Sequence, residues 1–142
     1  MLAKKPARID GISTILLQVS RMKRSMKFYR NGLGIRFDPK QCDDSCAYTK
    51  VGQTGFLLHT DYDPSLKQSR RGAGIAVHFS VPDVDAYWSA LKKRGVPLKE
   101  KPENHPWGRE FSVLDPDGYE IEILGPLPKG AKVKANSAEA CG

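Results

Sequence analysis

Glu120 and Glu122 stand two residues apart in Tyr119-Glu120-Ile121-Glu122-Ile123, so on an extended chain both carboxylates leave one face while the isoleucines leave the other. A carboxylate on a surface opposite a packed core can hold a cation, pair with a cationic side chain or move a proton, and Glu122 is the candidate for that last role. His59 and His78 add imidazoles, which ligate metals. Upstream, Pro106-Trp107-Gly108-Arg109 offers a flat apolar indole and a planar guanidinium on a bend set by proline and glycine. That pair suits a planar aromatic or carboxylated ligand, with Arg109 as the clamp. An internal Arg109–Glu122 ion pair is the competing reading. By alternation Thr14, Gln18 and Ser80 share a face with His78 and supply neutral hydrogen bonds.

These groups have to be positioned by a repeated pattern of elements. Asp115-Pro116-Asp117-Gly118 is a turn signal: proline presets φ, aspartates bond back to the local backbone and glycine accepts a positive φ. Two strands therefore meet there, near Arg109–Leu114 and Tyr119–Leu124. Ile12–Val19 reads as a strand and residues 20–31 as a helix capped by Ser20 and stopped by Gly32 or Gly34. Three strand-like runs then lead to His59. Ile75–Val81 starts the pattern again, followed by a helix over Asp83–Arg94 ended by Gly95 and a strand near Val96–Lys99. Each half has the order βαβββ, which is an α+β fold. Modules at about 10–66 and 73–125 make one domain over 10–125, joined by the polar, Gly-containing linker 67–74, with tails at 1–9 and 126–142.

Three segments carry a family resemblance: Pro106 to Ile123, Phe28-Tyr29-Arg30-Asn31-Gly32-Leu33-Gly34, and Val81-Pro82-Asp83-Val84-Asp85-Ala86. In order and content they resemble the glyoxalase/bleomycin-resistance/dioxygenase superfamily, the vicinal oxygen chelate proteins, and Pro106 to Asp115 is most similar to the bleomycin-resistance branch. The resemblance implies that the two modules form a curved, incompletely closed mixed sheet with a concave binding face. It also implies a homodimer, in which Trp107 can line a ligand cleft, a subunit interface or both. The family's metal enzymes draw ligands from each module's first and last strands, and superposing the halves puts Thr14, His59, Ala76 and Glu122 at those positions. A threonine hydroxyl and an alanine cannot complete a transition-metal centre. The expectation is a small-molecule binding protein without a complete metal centre. The alternative is a metal-dependent lyase or dioxygenase using a divalent cation at His59, His78 and Glu122.

Composition narrows the classes further. A chain of 142 residues that is 39% hydrophobic and 27% charged suits one soluble domain. No apolar run reaches membrane-spanning length and the N-terminus lacks a secretion signal, so a cytoplasmic location is expected. Cys42, Cys46 and Cys141 match no disulfide framework or zinc spacing, and no phosphate-binding glycine loop opens a helix. The net charge is +7, but setting aside six basic tail residues and Glu139 leaves seventeen basic against fifteen acidic residues, or +2. Mobile solubilising ends explain such tails, and a nucleic-acid partner is not expected. With no acidic surface evident, the ligand is expected to be planar and neutral or anionic.

Overall fold

The computed structural model describes residues 7–133; Cys141 and the tail residues Lys4, Lys5, Lys134 and Glu139 lie outside them. Seven strands form two mixed sheets. The first contains β1 (Thr14–Gln18), β2 (Cys46–Val51) and β3 (Thr54–His59) in the order β1-β3-β2, with β1 and β3 parallel. The second contains β4 (Ala76–Ser80), β5 (Glu103–His105), β6 (Gly108–Leu114) and β7 (Glu120–Gly125) in the order β4-β7-β6-β5, with β4 and β7 parallel. The sheets do not close into a barrel, and the architecture is the expected α+β fold. No helix among the described residues is long and apolar enough to cross a membrane.

Helix α1 (Met22–Met26) continues as a π-helical segment, Lys27–Gly32, and α2 spans Val84–Lys93. Met22, Met26, Phe28 and Tyr29 are buried, while Arg21, Lys23, Arg24, Lys27 and Arg30 form the expected solvated basic face. Ser20 does not cap α1. The N-cap residue is Arg21, and Ser20 instead gives both its backbone N–H and its hydroxyl to Asp117. Asp83 does cap α2, accepting from the Ala86 N–H at 3.0 Å.

Two strand expectations are revised. Of the three strand-like runs expected before His59, two form, β2 and β3; residues 33–38 make no ladder, and the Arg36 carbonyl is satisfied by the Thr49 hydroxyl at 2.7 Å. The strand expected near Val96–Lys99 lies later, at Glu103–His105, because Val96 packs against Gly32 and the chain must first cross the end of α2.

The aspartates of the Asp-Pro-Asp-Gly turn hold the modules together. Asp115 accepts from the Asp117 and Tyr119 N–H groups at 2.8 Å each, and from the Tyr29 hydroxyl at 2.7 Å. Burial raises both acids above their ordinary ranges, so each stays protonated to higher pH than in water. Asp117 gathers Ser20, Arg24 and Arg71. The 67–74 joint is therefore anchored: Gln68 donates to the Asp117 carbonyl at 3.2 Å, and Gly72, at φ +76°, lies so close to the Gly118 carbonyl that a Cβ there would sit 2.8 Å from it.

Candidate functional site

Alternation along β6 and β7 separates two surfaces. Phe111, Val113, Ile121 and Ile123 are buried on the side that carries α2, while Glu110, Ser112, Glu120 and Glu122 leave the opposite, helix-free side. Pairing in register sets His78 beside Glu122, Glu122 beside Ser112 and Glu110 beside Glu103. The result is a trough of about 230 Å³ lined by Glu100, Glu103, Glu110, Glu120 and Glu122, with His105 and Lys101. A second hollow of about 280 Å³ adjoins it, sharing Glu100, Ser112 and Glu120.

A polar chain runs across four strands. His78 Nδ1 lies 3.4 Å from Glu122, and His105 Nε2 lies 3.6 Å from Glu110 and 3.8 Å from Glu103. The Glu122 carboxyl is pushed above the ordinary carboxylate range, first by burial and then by Glu110 beside it, with Glu120 adding to the effect and His78 opposing it. Folding therefore holds a proton on Glu122 that the unfolded chain releases at lower pH. Its contribution to stability is fully present below the unfolded value and is lost as pH rises through the folded one. Glu122→Gln is expected to raise Tm by about 2–5 °C at pH 7, with the gain vanishing below about pH 4, as thermal melts across pH would record.

Trp107 stands beside the trough, against two of its lining residues, His105 and Glu110. Its ring stacks on His105 at 4.7 Å and 9°, its indole N–H donates to Glu110 at 3.1 Å, and 52% of the residue stays exposed. Gly108 makes this bend possible: its φ is +148°, and a Cβ would meet the Gly125 carbonyl at 2.7 Å.

Arg109 is elsewhere. It leaves the helix side of β6, forms a bidentate pair with Asp85 at 2.8 Å for both bonds, and donates to Asn104 at 2.8 Å. Its hydrogen bonds hold the Asp85 carboxyl below its usual range. The pair with Glu122 does not form, because one residue of offset from Glu110 puts Arg109 on the other face of β6. Arg109→Lys is expected to cost about 1 kcal/mol in a denaturant melt, through loss of the fork, without altering ligand affinity.

The remaining expected residues divide between the sheets. Thr14 flanks Gly55 in the first sheet, where its hydroxyl lies 2.7 Å from the position a Cβ on Gly55 would take. Gln18 is buried and structural, exchanging bonds with the Asp63 backbone at 2.9 and 2.6 Å. His59 pairs in register with Gln18, and its Nδ1 contacts the Thr60 carbonyl. Thr14 opposes Gly55 and Ala76 opposes Glu120, so the residue matching Glu122 is Leu57 and that matching His78 is Leu16. The polar pair of the second module is aliphatic in the first.

Of the four positions implied for a metal, Thr14 and His59 stand in the first sheet and Ala76 and Glu122 in the second, and Ala76 offers no donor. His59 is also not part of the alternative set. Glu110 takes its place: donor atoms of His78, Glu110 and Glu122 all lie within 4.8 Å of one another, and imidazole with two carboxylates is a donor set suited to a divalent cation. Sequence reasoning passed over Glu110 and His105. The signal was available, because Phe111 and Val113 at odd positions put Glu110 on the face of Glu122.

No curated protein is a sequence match for this chain. Among solved structures it is similar to TnmS3, an antibiotic binding protein from Streptomyces sp. CB03234, at 25% identity over 83% of this chain and 97% of that one, with a TM-score of 0.68. It is similar to a glyoxalase-related enzyme from Fulvimarina pelagi at 19% identity over 91% and 100% of the two chains, TM-score 0.67. A lactoylglutathione lyase from Agrobacterium tumefaciens shares the fold at 20% identity over 84% and 93%, TM-score 0.59. A sequence model of one family matches residues 11–123, nearly the whole described chain. By that match and by its fold, the chain belongs to the glyoxalase/bleomycin resistance protein/dioxygenase superfamily.

Proposed function

We propose that the protein is a small-molecule binding protein whose ligand lies in the glutamate-lined trough of the second sheet, with a planar cationic group against Trp107. The observation that carries this reading is the half-exposed indole, oriented by His105 and Glu110 at the rim of the trough. An aromatic face beside carboxylates attracts a planar cation through stacking, cation–π contact and Coulomb attraction together. This reverses the ligand charge expected from composition, since the five glutamates of the trough are a local acidic surface within a chain of net charge +7. The similarity to an antibiotic binding protein agrees with binding without turnover.

Titration with proflavine, a planar cation, is expected to quench tryptophan fluorescence saturably, while the planar anion 1-naphthoate leaves it unchanged. Quenching by both alike, or by neither, would remove the reading.

A second reading, a metal-dependent lyase or dioxygenase, is favoured by the closeness of His78, Glu110 and Glu122. A bound divalent cation would act as a Lewis acid, and the protein's part would be to hold it with these three side chains. Stoichiometric Mn²⁺ or Zn²⁺ binding in calorimetry, lost in Glu110→Gln and retained in His59→Ala, would favour it over simple binding.

A further inference from the structure

The π-helical segment and the end of α2 enclose a cleft of about 330 Å³. Arg24, Lys27 and Arg94 line it, and no carboxylate does. Its apolar surface comes from Phe28, Val96 and Pro97 among others. We propose that this cleft binds a small amphipathic anion, a carboxylate or phosphate carried on an apolar body.

Three observations support the assignment. The cationic groups are held in place: Arg94 Nη1 donates to the Gly32 carbonyl at 3.0 Å, and Arg24 Nη2 donates to Ser20 Oγ at 2.8 Å and to Asp117 at 3.3 Å. Lys27 forms no ion pair or hydrogen bond among the described residues, and neither do Nε and Nη2 of Arg94. Donors therefore remain for an incoming oxyanion, and a guanidinium can engage it with two parallel N–H groups. The wall of the cleft is also a six-residue π-helix, Lys27–Gly32, a rare geometry that recurs at functional sites. Its wider turn ends with Gly32 packed on Val96, where a Cβ would sit 3.0 Å from the valine methyl group. The packing leaves the cleft walls close.

Charge explains why this site and the trough do not compete. An anion is repelled by the glutamates in one and meets Arg24, Lys27 and Arg94 in the other.

The test uses the full chain, ¹⁵N-labelled, titrated in separate arms with 1-naphthyl phosphate, 1-naphthoate, 1-naphthalenemethanol and inorganic phosphate. The expected result is saturable amide shifts confined to residues 24–32 and 94–97 with at least one of the two naphthyl anions. Binding of only the phosphate ester or only the carboxylate identifies which anionic group the site takes. Affinity should fall about tenfold or more in Lys27→Glu, whose exposed position spares the fold, and should weaken as salt rises. Equal affinity of the neutral alcohol, equal affinity of inorganic phosphate, an unchanged constant in Lys27→Glu, or shifts located in the trough would each overturn the proposal. So would the absence of saturation by both naphthyl anions at millimolar concentration.

Discussion

Asp117→Ala is expected to lower the free energy of unfolding by about 3–5 kcal/mol and Tm by about 10–15 °C. The carboxylate is completely buried and accepts from the Ser20 N–H at 3.2 Å and the Ser20 hydroxyl. It also takes Arg71 Nη1 at 3.0 Å and Arg24 Nη2 at 3.3 Å. These donors come from the end of the first strand, the first helix and the joint between modules. Removing the anion strands the Arg71 guanidinium, whose side chain is 11% exposed and whose Nε already lacks a partner among the described residues. An uncompensated buried charge costs more than the pair contributed. Asp117→Asn keeps the shape and some acceptor capacity, so it should lie between wild type and Asp117→Ala. Urea melts of the three proteins decide the point: a midpoint in Asp117→Ala indistinguishable from wild type would show that the turn carboxylate does not tie the modules.

Trp107→Ala is expected to weaken proflavine binding by about 10- to 30-fold, on the scale of a tryptophan that anchors a ligand through stacking and cation–π contact. One face of the indole rests on His105 and the ring stays half exposed, so truncation removes a contact surface without opening the core. Stability should change by less than about 1 kcal/mol, which separates a binding effect from unfolding. Trp88 supplies the fluorescence background in the variant: its N–H is tied to the Glu100 carbonyl at 2.8 Å and Lys92 lies over its ring at 5.3 Å. Unchanged affinity with lost stability would make Trp107 a packing residue and move the ligand elsewhere along the trough.

Much of the scaffold was legible locally. Asp83 and Gly95 bound the second helix as their types dictate, since an N-cap oxygen and a positive φ are short-range requirements. The turn at Asp115–Gly118 and the isoleucine alternation of β7 were equally clear, because turn chemistry and strand periodicity act within a few residues. What misled was correspondence between distant segments. Superposing the halves with His59 on Glu122 slipped the first module by two residues: β2 and β3 are joined by only Gly52 and Gln53, whereas residues 115–119 join β6 to β7. A slip of two preserves the face of every side chain, so no hydrophobic pattern can detect it. It made His59 the partner of Glu122 in the alignment, whereas hydrogen-bonded register sets His59 opposite Gln18.

The sequence by itself determined the family, the α+β class, the solvated basic face of the first helix and the side from which Glu122 projects, because each follows from local spacing and residue type. Tertiary structure alone decided that Asp85 takes Arg109, that Asp117 spends its charge on Ser20, Arg24 and Arg71, and that Glu110 and His105 join Glu122 and His78. Those outcomes depend on which strands become neighbours and on which cations reach each carboxylate. Net charge was the least informative quantity, since a chain at +7 still gathers five glutamates into one trough against a single lysine, Lys101. Composition fixes the sum of the charges, and only packing fixes the field at a site.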